Sequence, residues 1–97
     1  MRIISRRTLR EFCEKHPDAA VPLQTWYADV IRADLKSPAD IKAVYRNASI
    51  VANNRVVFNI KGNRYRLVIV VVYKNGIIYI RFIGTHKEYD HIDVTSV

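Results

Sequence analysis

Residues 55–90, RVVFNIKGNRYRLVIVVVYKNGIIYIRFIGTHKEYD, decide the fold. They contain three runs rich in β-branched and aromatic residues, separated by Gly62-Asn63 and Asn75-Gly76, pairs that tolerate the positive φ angles of tight hairpin turns. Centring a two-residue turn on each pair fixes a register. Lys74 then faces Ile77, and Val72 pairs with Tyr79, Val70 with Arg81, Val68 with Ile83 and Arg66 with Thr85. The other hairpin sets Lys61 against Arg64 and Asn59 against Arg66, so that Asn59, Arg66 and Thr85 form one row across the sheet. Strand side chains alternate between faces, which gathers Val56, Phe58, Ile60, Tyr65, Leu67, Ile69, Val71, Ile78, Ile80 and Phe82 on one apolar side. The other side carries Asn59, Lys61, Arg64 and Arg66 at the end where the last strand exits into Thr85-His86-Lys87, with Arg55 and Arg81 toward the opposite end. A three-residue loop at either turn would slip a strand by one residue and exchange its faces.

An apolar sheet face must be covered, and the chain before residue 55 supplies the cover. Arg2–Ser5 suits a short edge strand, after which Ser5 is placed to cap a helix over Arg6–Lys15 with Leu9, Phe12 and Cys13 on one side. His16-Pro17 ends it, and Asp18 is expected to cap a second helix with the stripe Leu23, Trp26, Tyr27, Val30 and Ile31. Trp26 and Tyr27 are read first as packing residues and only second as contacts for a protein partner. Ser37-Pro38-Ala39-Asp40 signals a third, short helix whose apolar side is Ile41, Val44 and Tyr45. Helices first and strands afterwards make the fold class α+β, with N-terminal helices packed on one face of a small antiparallel sheet.

The 97 residues, 49% of them hydrophobic, suffice for a single domain spanning 1–97 with one modest core. Sixteen Lys and Arg against nine Asp and Glu give a net charge of +7, which attracts nucleic acid, acidic proteins or an anionic surface before any specific contact forms. No apolar run approaches the ~20 residues that cross a bilayer, and MRIIS lacks the apolar segment of a signal peptide, so a soluble cytoplasmic protein without a membrane partner is expected. The one cysteine, Cys13, excludes an internal disulfide and is better read as a small apolar helix residue than as a nucleophile.

The polar end of the sheet brings together guanidinium groups (Arg66, Arg64), an imidazole (His86), ammonium groups (Lys87, Lys61), a phenol (Tyr89) and an amide (Asn59). No paired carboxylates or glycine-rich phosphate loop accompany them, His86, Asp90 and His91 make only a weak metal pattern, and neither metal nor cofactor is expected. Cleavage of RNA through its own 2′-hydroxyl suits such a set. It requires a base at that hydroxyl, cations over the phosphate and an acid at the departing 5′-oxygen. An isolated strand arginine is ordinarily a solvated charge and a tyrosine such as Tyr89 ordinarily a partly buried aromatic; their convergence on one end of one face points to function. The same groups suit a nonhydrolytic RNA binder, with Arg and Lys on phosphates and Tyr89 stacked on a base.

NRVVFNIKGNRYRL at 54–67 and YIRFIGTHKEYDHID at 79–93 closely resemble the HigB family of toxins within the RelE-like superfamily, and MRIISRRTLREF and SPADIKAVYRNAS are similar to the same family. The resemblance thus spans essentially the whole chain. It implies the RelE-like toxin fold and a ribosome-associated endoribonuclease, an mRNA interferase, that cuts translated mRNA. It also implies a HigA-type antitoxin with a helix-turn-helix domain, the pair together binding operator DNA. Carried over by residue, it implies catalytic roles for Arg66 at the scissile phosphate and for His86, Lys87 and Tyr89, the division of base and acid among these three remaining open. Asn59, Lys61, Arg64 and Arg81 are the expected RNA-binding residues. Arg81 lies about four residues from Thr85, on the order of 13 Å at the usual strand rise, and is therefore assigned to RNA positioning or structure. A noncatalytic RNA- or ribosome-binding module and a subunit active mainly in operon repression are the alternatives.

Overall fold

The computed structural model describes residues Met1–Val97. Strand β1 (Arg2–Ile4) leads into helix α1 (Arg6–Lys15), a single 3-10 turn at Pro17–Ala19, then helices α2 (Ala20–Arg32) and α3 (Pro38–Val44). Strands β2 (Ser49–Val51), β3 (Arg55–Ile60), β4 (Tyr65–Val72) and β5 (Ile77–Thr85) follow, and a short helix α4 (His86–Tyr89) extends directly from β5. The sheet order is β1-β5-β4-β3-β2. The α+β class holds, and the sheet is mixed because β1 joins β5 in parallel while the other pairs are antiparallel. No helix is long and apolar enough to cross a membrane.

The helices start and stop largely where local chemistry directs. Ser5 precedes α1 but sits in the left-handed region at φ 77° and makes no capping bond through its side chain. Ser37 does cap α3: its Oγ accepts from the Asp40 N–H at 3.3 Å, and the Asp40 carboxylate accepts from Lys36 N–H at 2.9 Å. Asp18 does not cap α2, which begins at Ala20. A 3-10 turn opened by Pro17 comes before the helix, and the Asp18 carboxylate turns instead to the sheet.

Leu9, Phe12, Leu23, Trp26, Val30 and Ile41 press onto Val56, Phe58, Ile60, Tyr65, Leu67, Ile69, Val71, Ile78 and Ile80, forming one apolar cluster between helices and sheet. Trp26 and Tyr45 both meet the Phe58 ring edge-on, at centroid distances of 5.4 and 5.2 Å. Trp26 is thus buried packing, whereas Ile31, expected on the same stripe, is exposed. Full burial of a side chain such as Leu67 contributes roughly 2–3 kcal/mol.

The β3–β4 hairpin has the expected register, with Asn59 opposite Arg66, and its turn places Lys61 and Gly62 at φ 53° and 64°. The β4–β5 hairpin differs. Its loop is Tyr73–Gly76, a 3-10 turn closed by Gly76 at φ 64°, so Val72 pairs with Ile77 rather than Tyr79. Tyr73 packs against the core, which draws it out of the ladder. That two-residue offset preserves the faces, but a β-bulge then intervenes. Ile69 pairs with Ile80 and Val68 with Phe82, leaving Arg81 without an opposite residue. Beyond it the faces of β5 exchange: Ile83 packs against the core and Phe82 moves to the open side. Arg66 accordingly faces Gly84, and Thr85 lies opposite Tyr65. The expected row therefore becomes Asn59, Arg66, Gly84.

Candidate active site

The β3–β4 turn and α4 bring Arg66 and Tyr89 together. The Arg66 guanidinium donates to the Asn63 side-chain oxygen at 2.6 Å and to the Asn63 and Tyr65 carbonyls at 3.1 and 3.4 Å. Its Cζ lies 5.8 Å from the centroid of the Tyr89 ring, within cation–π range. All of these partners are neutral, and no carboxylate lies within ion-pair distance of Arg66. Its charge is therefore oriented but not cancelled. Asn59, exposed, stands directly across from it.

Helix α4 is fixed at its base by a capping box: Thr85 Oγ1 accepts from Glu88 N–H at 3.1 Å while Glu88 Oε1 accepts from Thr85 N–H at 2.8 Å. These bonds hold the Glu88 carboxyl below the usual carboxylate range. The His86 N–H donates to the Arg64 carbonyl at 3.2 Å, tying the first turn of α4 to the start of β4. His86 and Lys87 are exposed there, and His86 Nδ1 lies 3.2 Å from Asp90 Oδ2. Tyr89 is half-buried, with the Phe82 ring 6.4 Å away. A methyl group on Gly84 would come within 2.6 Å of Phe82 Cζ, so that ring lies over the glycine and would have to shift for a larger residue.

Lys61 and Arg64, expected beside Arg66, are drawn elsewhere. Lys61 Nζ and Arg64 Nη1 lie 3.4 and 3.3 Å from Asp18 Oδ2, and the Tyr65 hydroxyl donates to Asp18 Oδ1 at 2.5 Å. Tyr65 belongs to the helix-covered side, so this cluster joins the hairpin tip to the 3-10 turn. The tyrosine bond, with help from the two cations, lowers the Asp18 pKa, and Asp18 in turn raises that of Tyr65. Arg81 lies toward the other end of the open face, where its Nε donates to the Val97 backbone oxygen at 3.3 Å.

Several participants were not singled out from the sequence. Asn63 was read only as a turn residue, although its position three residues before Arg66 across a hairpin tip allows the bond it makes. The Thr85-x-x-Glu88 spacing is a capping-box signal that announces α4. Phe82 had no such signal, because the bulge that moves it has none.

Residues 19–92 match the HigB toxin family, described as the RelE-like toxic component of a toxin–antitoxin system. The mRNA interferase toxin HigB of Escherichia coli strain K12 is 32% identical over 92 residues, covering 93% of this chain and 88% of the relative. The mRNA interferase HigB of Shigella flexneri has the same identity and coverage. The mRNA interferase HigB of E. coli O6:H1 is 26% identical over 94 residues, covering 95% of this chain and 91% of its own length. The chain belongs to the HigB toxin family, and an antitoxin is its partner.

Proposed function

We propose that this chain is the toxin of a type II toxin–antitoxin system and arrests translation as a ribosome-associated endoribonuclease cutting translated mRNA. The observation that carries the reading is Arg66: a guanidinium aimed by Asn63, within cation–π range of Tyr89 and left without a counter-ion, which suits it to a scissile phosphate. The RNA 2′-oxygen attacks the adjacent phosphorus and gives its proton to a base; the P–O5′ bond breaks and an acid protonates the departing oxygen. The products are a 2′,3′-cyclic phosphate and a 5′-hydroxyl. Because the nucleophile belongs to the substrate, the scheme calls for no metal. His86, Lys87 and Tyr89 are the groups available as base, acid and additional electrostatic support, and Asn59 can contact the strand beside Arg66. The partner is assigned as a HigA-type helix-turn-helix antitoxin, the complex binding operator DNA, and the site of action as the cytoplasm, where the ribosomes are.

Translating ribosomes incubated with the purified toxin should yield new mRNA ends bearing 5′-hydroxyls, absent with Arg66→Ala. Stalled ribosomes without new ends would instead identify a noncatalytic ribosome binder.

A further inference from the structure

The open face carries a second, differently built cationic element at its far end. Arg55 donates to the Val97 backbone oxygen through Nε at 3.2 Å and Nη2 at 2.7 Å, and Arg81 reaches the same oxygen through Nε at 3.3 Å. Three charged N–H donors thus converge on the main-chain oxygen of Val97, the last residue described. Neither arginine has an Asp or Glu side chain within ion-pair distance. Two guanidinium groups aimed at one point also suit the several oxygens of a phosphate.

The segment that supplies this oxygen is a small folded strap. Asp93 Oδ1 accepts from Thr95 N–H at 3.0 Å and Thr95 Oγ1–H at 2.6 Å, and Asn53 Nδ2 donates to the Thr95 carbonyl at 3.0 Å. The Thr95 bonds keep the Asp93 carboxyl below its ordinary range, so the strap brings a negative charge toward Arg55. It resembles an anion in the place where an anion would sit.

We infer that Arg55 and Arg81 form a phosphate cradle for a second position on a single RNA strand, and that residues 93–97 occupy this cradle until RNA displaces them. Arg55 stands four residues along β3 from Asn59, the partner of Arg66, on the order of 13 Å at the usual strand rise. One strand can therefore touch Arg66 and the cradle together. Contacts of this kind position a strand without reading its bases. The inference rests on the proposed RNA substrate, but its test reads binding alone.

Fluorescence anisotropy with a single-stranded oligonucleotide carrying 2′-O-methyl groups throughout, which lacks the attacking hydroxyl, measures affinity for the full chain. The double variant Arg55→Gln/Arg81→Gln should bind roughly tenfold more weakly and lose about 0.7 from the slope of log K against log salt, the value for one single-strand phosphate contact. Removal of residues 93–97 should tighten binding several-fold, and that gain should vanish in the double variant. Thr95→Pro removes both donors that close the Asp93 turn at constant charge; it should also tighten binding, and it serves if the shortened chain fails to fold. Unchanged affinity and salt slope in the arginine and strap variants, each folded by circular dichroism, would overturn the cradle. Failure of the endoribonuclease reading is distinguishable, since it removes the new 5′-hydroxyl ends while leaving these binding differences intact.

Discussion

Two clusters of positive charge share the β3–β4 hairpin tip and have opposite fates. On the helix side, Lys61 and Arg64 converge on Asp18, which also accepts from Tyr65, so one carboxylate offsets part of their charge while joining the hairpin to the 3-10 turn. On the open side, Arg66 is held as firmly, but only by amide and carbonyl oxygens and an aromatic ring. A carboxylate fixes a cation and offsets its charge, whereas neutral acceptors fix it and leave its field available to a ligand. Proximity in sequence, three cations within six positions, does not distinguish them. The partner does.

The most direct way to break this contrast is Arg66→Ala. Loss of one electrostatic donor at a reacting centre costs about 10²–10³ in rate, so mRNA cleavage should fall by that order while the melting temperature stays nearly unchanged. The neighbouring residue supplies the complement. Leu67 points to the opposite face and is fully buried. Leu67→Ala should cost about 3 kcal/mol of stability in a denaturant titration, with cleavage per folded molecule retained. If the two adjacent substitutions gave the same pattern of losses, the division of the sheet into a packing face and a working face would be wrong.

How far this division was legible in the sequence depends on the range of the forces that set it. The Asn59–Arg66 pairing followed from Gly62-Asn63 because hairpin registration is a local matter of turn conformation. Asn75-Gly76 misled, since Tyr73 packs against the core and lengthens the loop, a tertiary preference that overrides the dipeptide. The bulge at Arg81 was hidden for another reason: Phe82 and Ile83 are both apolar, so the alternation that would reveal an exchange of faces falls silent there. Asp18 satisfies a capping pattern, yet its real partners lie more than forty residues away in sequence. Helix α4, by contrast, was announced by Thr85 and Glu88 and could have been read.

Gly84 tests whether the working face depends on close packing as well as charge. Gly84→Ala places a methyl group against the Phe82 ring, whose displacement transmits to Tyr89. A loss of roughly 1–2 kcal/mol in stability is expected, of the size seen when a packed site is overfilled. A fall in cleavage should accompany it, with RNA affinity less affected. Retention of full cleavage would show that the Phe82–Tyr89 contact has no part in holding the site.

Asp18→Asn tests the other cluster, and its effect should be smaller and visible mainly against pH. The Asp18 carboxyl titrates lower in the folded chain than in the unfolded one, chiefly through the Tyr65 hydrogen bond, so its contribution to stability is complete above an unfolded pKa of about 3.9 and disappears as pH falls through the depressed folded value. Tyr65 moves the opposite way, chiefly through the same bond. Its contribution is complete below an unfolded pKa of about 10 and disappears as pH rises through the elevated folded value. One contact thus supports a plateau between those limits, with a decline at either side. The asparagine variant should show a lower plateau and shallower declines at both ends in melting experiments across pH. It also releases Lys61 and Arg64, so RNA binding at neutral pH should tighten modestly and become more sensitive to salt. A variant that lost stability without any gain in salt-sensitive binding would mean that these two cations face away from the RNA even when free, and that the open face alone carries the interaction.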